Sequence, residues 1–340
     1  MTASDMESTA NALVAPGKGI LAADESLPTI EKRFKSISLP STEENRRAYR
    51  ELLFTTPGIG DSISGVILFD ETIRQRTLNG IPMPEVLKKQ GVIPGIKVDK
   101  GAKDLALFPG EKITEGLDGL RGQLAEYREL GARFTKWRAV ITIGEGIPTR
   151  PCILANAHAL ARFAALSQEA GLVSIVEPEV LMDGDHTINR CEEITGEVLK
   201  SVFEALSNYR VVLERMLLKP NMVVPGEKCP EKVGVDGVAE TTVCCLRRYV
   251  PSAVPGIVFL SGGQGEVQAT EHLNAINRLK NVPWELSFSF GRALQASALS
   301  AWRGVAANIP AAQKAFHHRA KCNSLTRYGK YSKEIEKEFP

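Results

Sequence analysis

Eight short apolar runs recur along this chain, each separated from the next by room for one helix and two loops. They are GILAAD from Gly19, SGVILF from Ser64, GIKVD from Gly95, RFTKWR from Arg133, LVSIVEPE from Leu172, MLLKPNMV from Met216, GIVFLSGG from Gly256 and ELSFSF from Glu285. Their length and their β-branched or aromatic content predict buried strands. Successive starts lie 45, 31, 38, 39, 44, 40 and 29 residues apart. The gaps carry helical spacing. Leu117, Leu120, Leu124 and Tyr127 form one stripe, and Leu160, Phe163, Ala164 and Ser167 another. Val198, Val202 and Leu206 form a third, and Leu294, Ala298 and Trp302 a fourth. Each places apolar residues on one helix face, and Gly131 and Gly171 are suited to end the first two helices. Strands alternating with helices make a parallel α/β sheet. Eight units predict a closed (β/α)8 barrel, one domain over residues 1–340. The competing reading, an open doubly wound sheet, lacks the G-x-G-x-x-G turn after its first strand. Residues 1–18 are expected to form a leading helix. Residues 310–340 are expected to form a C-terminal helix and a solvated tail through SKEIEKEF, with His317 and His318 exposed.

Composition narrows the function. The 340 residues carry 42 Lys+Arg against 40 Asp+Glu, so no basic excess exists to hold nucleic acid. Three tryptophans and six tyrosines form no stacking platform with basic neighbours. No run reaches the ~18 apolar residues of a membrane helix. Six cysteines without a C-x-x-C pair, and a start with neither an apolar run nor an Arg-rich pattern, predict reduced thiols in a cytoplasmic protein. Neither H-E-x-x-H nor a Walker sequence is present, so no metal and no cofactor are expected. Asp183 to His186, DGDH, reads as a polar turn.

In a barrel the active site lies at the carboxyl ends of the strands. The charged residues cluster there: Asp24, Lys97, Lys136 and Arg138, Glu177 and Glu179, Lys219, and Arg292 after Gly291. Any one alone reads as a solvated strand end. Together they would form a mixed-charge cluster, and unpaired buried charge is costly enough to imply a use. Lys219 sits in an apolar strand, where desolvation and a neighbouring Lys136 would favour the neutral amine, a nucleophile for a ketone. The alternative is a lysine that snorkels out before Pro220. Ser261, Gly262 and Gly263 lie between a strand and a helix expected near Glu266. Their N–H groups could cradle a phosphate that Arg292 closes on, or form a plain turn.

At these residues the chain resembles the class I fructose-1,6-bisphosphate aldolases, the imine-forming, metal-independent kind. The matching stretches include GKGILAADES, TEENRRAYRELLFTTPG, GIKVDKG, KWRAVI, VEPEVLMDGDH, LLKPNMV, FLSGGQ and FGRALQASALSAW, from Gly17 to about Tyr331. The resemblance implies reversible cleavage of fructose 1,6-bisphosphate into dihydroxyacetone phosphate and glyceraldehyde 3-phosphate. It implies Lys219 as the Schiff-base lysine, Glu177 as acid–base for dehydration with Glu179 in support, and Asp24 as the base at the cleaved bond, with Lys136 beside both. It implies Ser261, Gly262, Gly263, Ser289, Gly291 and Arg292 at the phosphate next to the ketone, and Lys97, Arg138 and Arg33 at the other phosphate. It also implies a homotetramer. A related sugar bisphosphate such as sedoheptulose bisphosphate, and a binding protein on the same fold, are the rival readings. The chain departs from the family's pattern at Leu27, Pro28 and Thr29, where Pro28 is expected to stiffen a loop. It departs again at Arg215, where the family has glycine, and in ending at Pro340 without a terminal tyrosine.

Overall fold

The structure is a computed structural model that describes residues 3–338. Ten strands form in chain order: β1 (Gly19–Ala23), β2 (Ile63–Leu68), β3 (Ile93–Lys97), β4 (Ala102–Asp104), β5 (Lys112–Thr114), β6 (Phe134–Ile141), β7 (Val173–Val180), β8 (Met216–Leu218), β9 (Gly256–Phe259) and β10 (Glu285–Phe290). Twelve α-helices accompany them: α1 (Ala3–Leu13), α2 (Leu27–Lys35), α3 (Glu43–Phe54), α4 (Asp70–Arg74), α5 (Met83–Lys89), α6 (Leu120–Glu129), α7 (Arg150–Glu169), α8 (Ile188–Asn208), α9 (Val235–Tyr249), α10 (Glu266–Arg278), α11 (Arg292–Trp302) and α12 (Ile309–Thr326). Eight strands close into a parallel barrel in the order β1-β10-β9-β8-β7-β6-β3-β2. Each of the eight apolar runs supplies one of them. The remaining two, β4 and β5, form an antiparallel hairpin in the loop after β3.

The period-two alternation of strand side chains sorts the interior into two cores. Ile20, Ala22, Ile67, Phe134, Val173, Ile175, Leu217 and Val258 point into the barrel. Leu21, Ala23, Val66, Leu68, Trp137, Val176, Leu218 and Ile257 point outward under the helices. The inner core also contains Met6, Ala10 and Leu13, because α1 closes the barrel's amino-terminal end. Its approach requires small residues on the strands. A Cβ on Gly65 would lie 2.6 Å from Leu13, and one on Gly256 would lie 2.6 Å from Val14. The leading helix expected from the sequence is therefore the floor of the barrel. Arg215 is tied to it: its guanidinium lies 3.0 Å from Glu7 on α1, and β8 begins at the next residue, Met216.

Three expectations need correction. Residues 27–29 are not a loop but the first turn of α2, where Pro28 costs no helical hydrogen bond. The C-terminal segment is not simply solvated. Helix α12 buries Ala312, Phe316 and Ala320 against the outer core. Within SKEIEKEF, Glu336 returns to Arg319 on α12. His318 is 6% exposed, not a surface residue. The last residues of the chain, Phe339 and Pro340, on which the reading of the tail depends, lie outside the described residues. Among the described residues no helix is long and apolar enough to cross a membrane.

Candidate active site

Moving two residues along an inward-facing strand gives the next inward-facing position. Two residues past Ala22 is Asp24, past Phe134 is Lys136, past Ile175 is Glu177 and past Leu217 is Lys219. Four charged side chains thus rise from the apolar inner layer into the carboxyl-terminal mouth of the barrel. They touch in sequence. The Lys136 Nζ lies 2.6 Å from Asp24 Oδ2 and 3.1 Å from Glu177 Oε2. The other Glu177 oxygen lies 3.1 Å from the Lys219 Nζ. Glu177, Lys136 and Lys219 are each only 4% exposed at the side chain. Two carboxylates and two ammonium groups alternate, which offsets the desolvation each would suffer alone.

The row's electrostatics follow from that alternation. Burial raises the Asp24 carboxyl, but the ammonium groups of Lys136 and Lys219 reverse this and hold it far below the usual carboxylate range. Burial likewise opposes ionisation of Glu177, and the same two lysines outweigh it, so its pKa is lowered. Burial disfavours the Lys136 cation, yet Asp24 and Glu177 raise its pKa above the ordinary lysine value. Lys136 is therefore a fixed positive charge between two carboxylates.

The remaining sequence-nominated residues form two groups around this row. Ser261, Gly262 and Gly263 turn between β9 and α10, with Gly262 at φ +52° and Gly263 at φ +90° in the left-handed region. Across from them Gly291 caps α11, and the Arg292 Nη2 donates to the Gly263 carbonyl at 2.6 Å. The two helix starts therefore share one corner of the mouth, suited to an anion. Ser289 is buried at 1% exposure, and its Oγ has no hydrogen-bond partner among the described residues. A substrate oxygen would satisfy it. In the second group the Lys97 Nζ lies 2.6 Å from Asp99 Oδ1, and the Arg138 N–H donates to Asp99 Oδ2 at 3.2 Å. Glu179 accepts from the Arg138 Nε at 2.5 Å, so it orients that guanidinium rather than touching Lys219. Arg33 falls with neither Lys97 nor Arg138. Its guanidinium pairs with Glu25, and its Nη2 comes within 3.5 Å of a Cβ position at Gly291.

Four positions that sequence reading passed over hold this frame. Glu25 pairs with both Arg33 and Arg50 and accepts from the Gln295 Nε2 at 3.0 Å. Gln295 also donates to the Ala22 carbonyl at 2.8 Å, which ties α11 to the end of β1. Asp99 anchors Lys97 and the Arg138 backbone. The available signal was a second carboxylate beside each nominated charge, Glu25 after Asp24 and Asp99 after Lys97.

A parallel eight-stranded barrel with a buried lysine–carboxylate row at its carboxyl end defines a barrel enzyme. The family model for class-I fructose-bisphosphate aldolase matches residues 5–339. A probable class 1 fructose-bisphosphate aldolase of Xanthomonas campestris is 58% identical over 332 residues, covering 97% of this chain and 99% of that protein. A fructose-bisphosphate aldolase of Dictyostelium discoideum is 54% identical, covering 98% and 94%. A cytosolic fructose-bisphosphate aldolase of Arabidopsis thaliana is 54% identical, covering 94% and 82%. Among solved structures, the Plasmodium falciparum fructose-bisphosphate aldolase, crystallised with TRAP and a small-molecule inhibitor, superposes with a TM-score of 0.96 at 51% identity, covering 97% of this chain and 95% of that one. The chain belongs to the class-I fructose-bisphosphate aldolase family, and it is a lyase of glycolysis.

Proposed function

We propose that the chain cleaves fructose 1,6-bisphosphate reversibly to dihydroxyacetone phosphate and glyceraldehyde 3-phosphate through an imine on Lys219. The observation that supports this reading is the continuous contact row Asp24–Lys136–Glu177–Lys219 in the barrel mouth. Glu177 can take the proton of the Lys219 ammonium across their 3.1 Å contact. That one transfer leaves a neutral amine to attack the ketone carbon and a carboxylic acid to protonate the departing hydroxyl, so water leaves and the imine forms. The protonated imine then accepts the electron pair of the cleaved carbon–carbon bond as an enamine. Asp24, kept ionised by its lysine neighbours, takes the proton of the adjacent hydroxyl, and the aldehyde departs. The enamine regains a proton and hydrolysis releases the second product. Lys136 stays cationic throughout and stabilises whichever carboxylate is charged.

The Ser261–Gly263 turn, Ser289, Gly291 and Arg292 would receive the phosphate next to the ketone. Lys97 and Arg138 would serve the far phosphate, while Arg33, beside Gly291, would serve the phosphate next to the ketone. The chain would act as one barrel domain. The resemblance supports a homotetramer, and the Arabidopsis relative supports work in the cytosol. The test is reduction with borohydride in the presence of dihydroxyacetone phosphate, followed by peptide mapping. The adduct should sit on Lys219. An adduct on another lysine, or none on an active preparation, rejects the assignment.

A further inference from the structure

We propose that His318, Cys322 and Glu336 form a zinc-binding site outside the barrel that fastens the C-terminal segment to α12. His318 and Cys322 stand one turn apart on α12 and project from one face, and Glu336 reaches them from the 3-10 turn at Ile335–Glu338. The His318 Nε2 lies 3.5 Å from the Cys322 Sγ and 3.7 Å from Glu336 Oε2. All three donor atoms fall within 4.8 Å of one another. A tetrahedral zinc ion bonds nitrogen and oxygen at about 2.0–2.2 Å and sulfur at about 2.3 Å, which sets its ligands roughly 3.4–3.6 Å apart. The two pairs that share His318 are therefore already spaced close to zinc ligands, and the third closes from within 4.8 Å. One imidazole, one thiolate and one carboxylate form a borderline-soft set that suits zinc over magnesium or calcium.

The surroundings fit a dication. The Arg319 Nη1 contacts both Glu336 oxygens, at 2.6 and 2.5 Å, and its Nε lies 3.6 Å from Glu266 Oε1. The Tyr331 hydroxyl donates to Glu336 Oε1 at 2.6 Å, which leaves Oε2 toward His318. These partners hold the carboxylate in place through hydrogen bonds, as the neighbours of ligating carboxylates do at metal sites. Binding releases the Cys322 thiol proton to solvent. The thiolate, Glu336 and Glu266 then supply three negative charges against four positive on zinc, Arg319 and Lys314. A groove lined by Glu266, Ser297, Lys314, His318, Arg319 and Glu336 gives the ion its entry path and its fourth ligand, a water. The sequence hides the site, because H-x-x-x-C in HHRAKC keeps the i, i+4 spacing of H-E-x-x-H without its residues, and the third donor lies 14 residues beyond Cys322.

The test uses the full-length chain, stripped with chelator and titrated with cobalt(II) as the spectroscopic stand-in, then with zinc. The expected result is one cobalt per chain with a near-ultraviolet thiolate charge-transfer band that zinc abolishes. Cys322→Ser should lose the band and Glu336→Gln should weaken cobalt at least tenfold. Cys244→Ser, at the exposed cysteine, should leave it unchanged. Circular dichroism checks that each variant is folded. Absence of the band in the folded parent chain, or its survival in Cys322→Ser, overturns the site. Should Cys322→Ser fail to fold, unchanged cobalt affinity in Glu336→Gln overturns it instead.

Discussion

The two ends of the barrel interior are built from the same strands by the same alternation, yet they do opposite things. Toward the amino-terminal end Ala22, Phe134, Ile175 and Leu217 share an apolar layer with Leu13 of α1. One inward step further, Asp24, Lys136, Glu177 and Lys219 form a row of alternating charge. The lower layer supplies rigidity, and the upper layer uses it. Each charged residue inherits its direction from a packed apolar residue two positions earlier, so the row of four is preorganised by its own strands. The contrast teaches that an interior position here is assigned to stability or to chemistry by its height along the strand.

The largest expected effect comes from the top. Lys219→Arg keeps charge and bulk but removes an amine able to become neutral. Cleavage should fall at least about 1000-fold, a loss of roughly 4 kcal/mol in the barrier, with circular dichroism unchanged. Retained turnover together with a retained borohydride adduct would remove Lys219 from the mechanism. The matching cut at the floor is Leu13→Ala, which should cost about 2–5 kcal/mol of stability through the cavity it leaves. Its kcat should stay near that of the parent at a temperature where both are folded. A variant equally stable but slow would erase the division between the two ends.

Smaller effects refine the upper end. Arg292→Ala should weaken fructose 1,6-bisphosphate and dihydroxyacetone phosphate alike by about 1.5–3 kcal/mol, the worth of a charge-assisted pair. Fructose 6-phosphate, with no phosphate next to its ketone, should bind as before; an equal loss there would move Arg292 out of that phosphate site. The pH response has a definite sign. Asp24 and Glu177 have lowered pKa values in the fold, so their contribution is present above the ordinary 3.8 and 4.5 and is lost as pH falls below them. Lys136 has a raised pKa, so its contribution is present below 10.5 and is lost only well above it. Asp24→Asn should therefore flatten the drop in melting temperature between about pH 5 and pH 3. An unaltered slope would mean that the row contributes little to acid stability. The smallest effect is that of chelation. The candidate metal cluster among the described residues is at α12, so EDTA should leave kcat unchanged. Loss of activity that zinc restores in the Cys322→Ser chain, which lacks the α12 cluster, would contradict imine chemistry at the mouth.

Sequence patterning carried the barrel far, because each of its strands is a short run rich in apolar residues and strand period two fixes which residues face inward. It carried the row of four as well, since all four sit one step past an apolar inward residue. It could not reach Glu25, Arg50, Asp99 and Gln295. The Glu25–Gln295 contact joins residues 270 apart, and such a pairing exists only once β1 and β10 are neighbours. The misreading of α12 has a different cause. Its polar sequence, HHRAK, suggested water on all sides, whereas α3, α10 and α11 cover it. Arg319 is buried there because Glu336 and Thr270 meet it, an arrangement that no local window contains.

The plug formed by α1 has a consequence for biosynthesis. The helix precedes every strand of the barrel and so emerges from the ribosome before them, carrying the apolar face of Met6, Ala10 and Leu13, and its seat includes Leu217 and Val258. The barrel seam, Ile20 beside Ser289, closes only when β10 is available. For most of translation the chain therefore holds an unburied helix whose binding site is unfinished. Loop-closure entropy and aggregation both penalise that interval. Folding of this barrel is committed late, because the seam cannot close before β10 has been made.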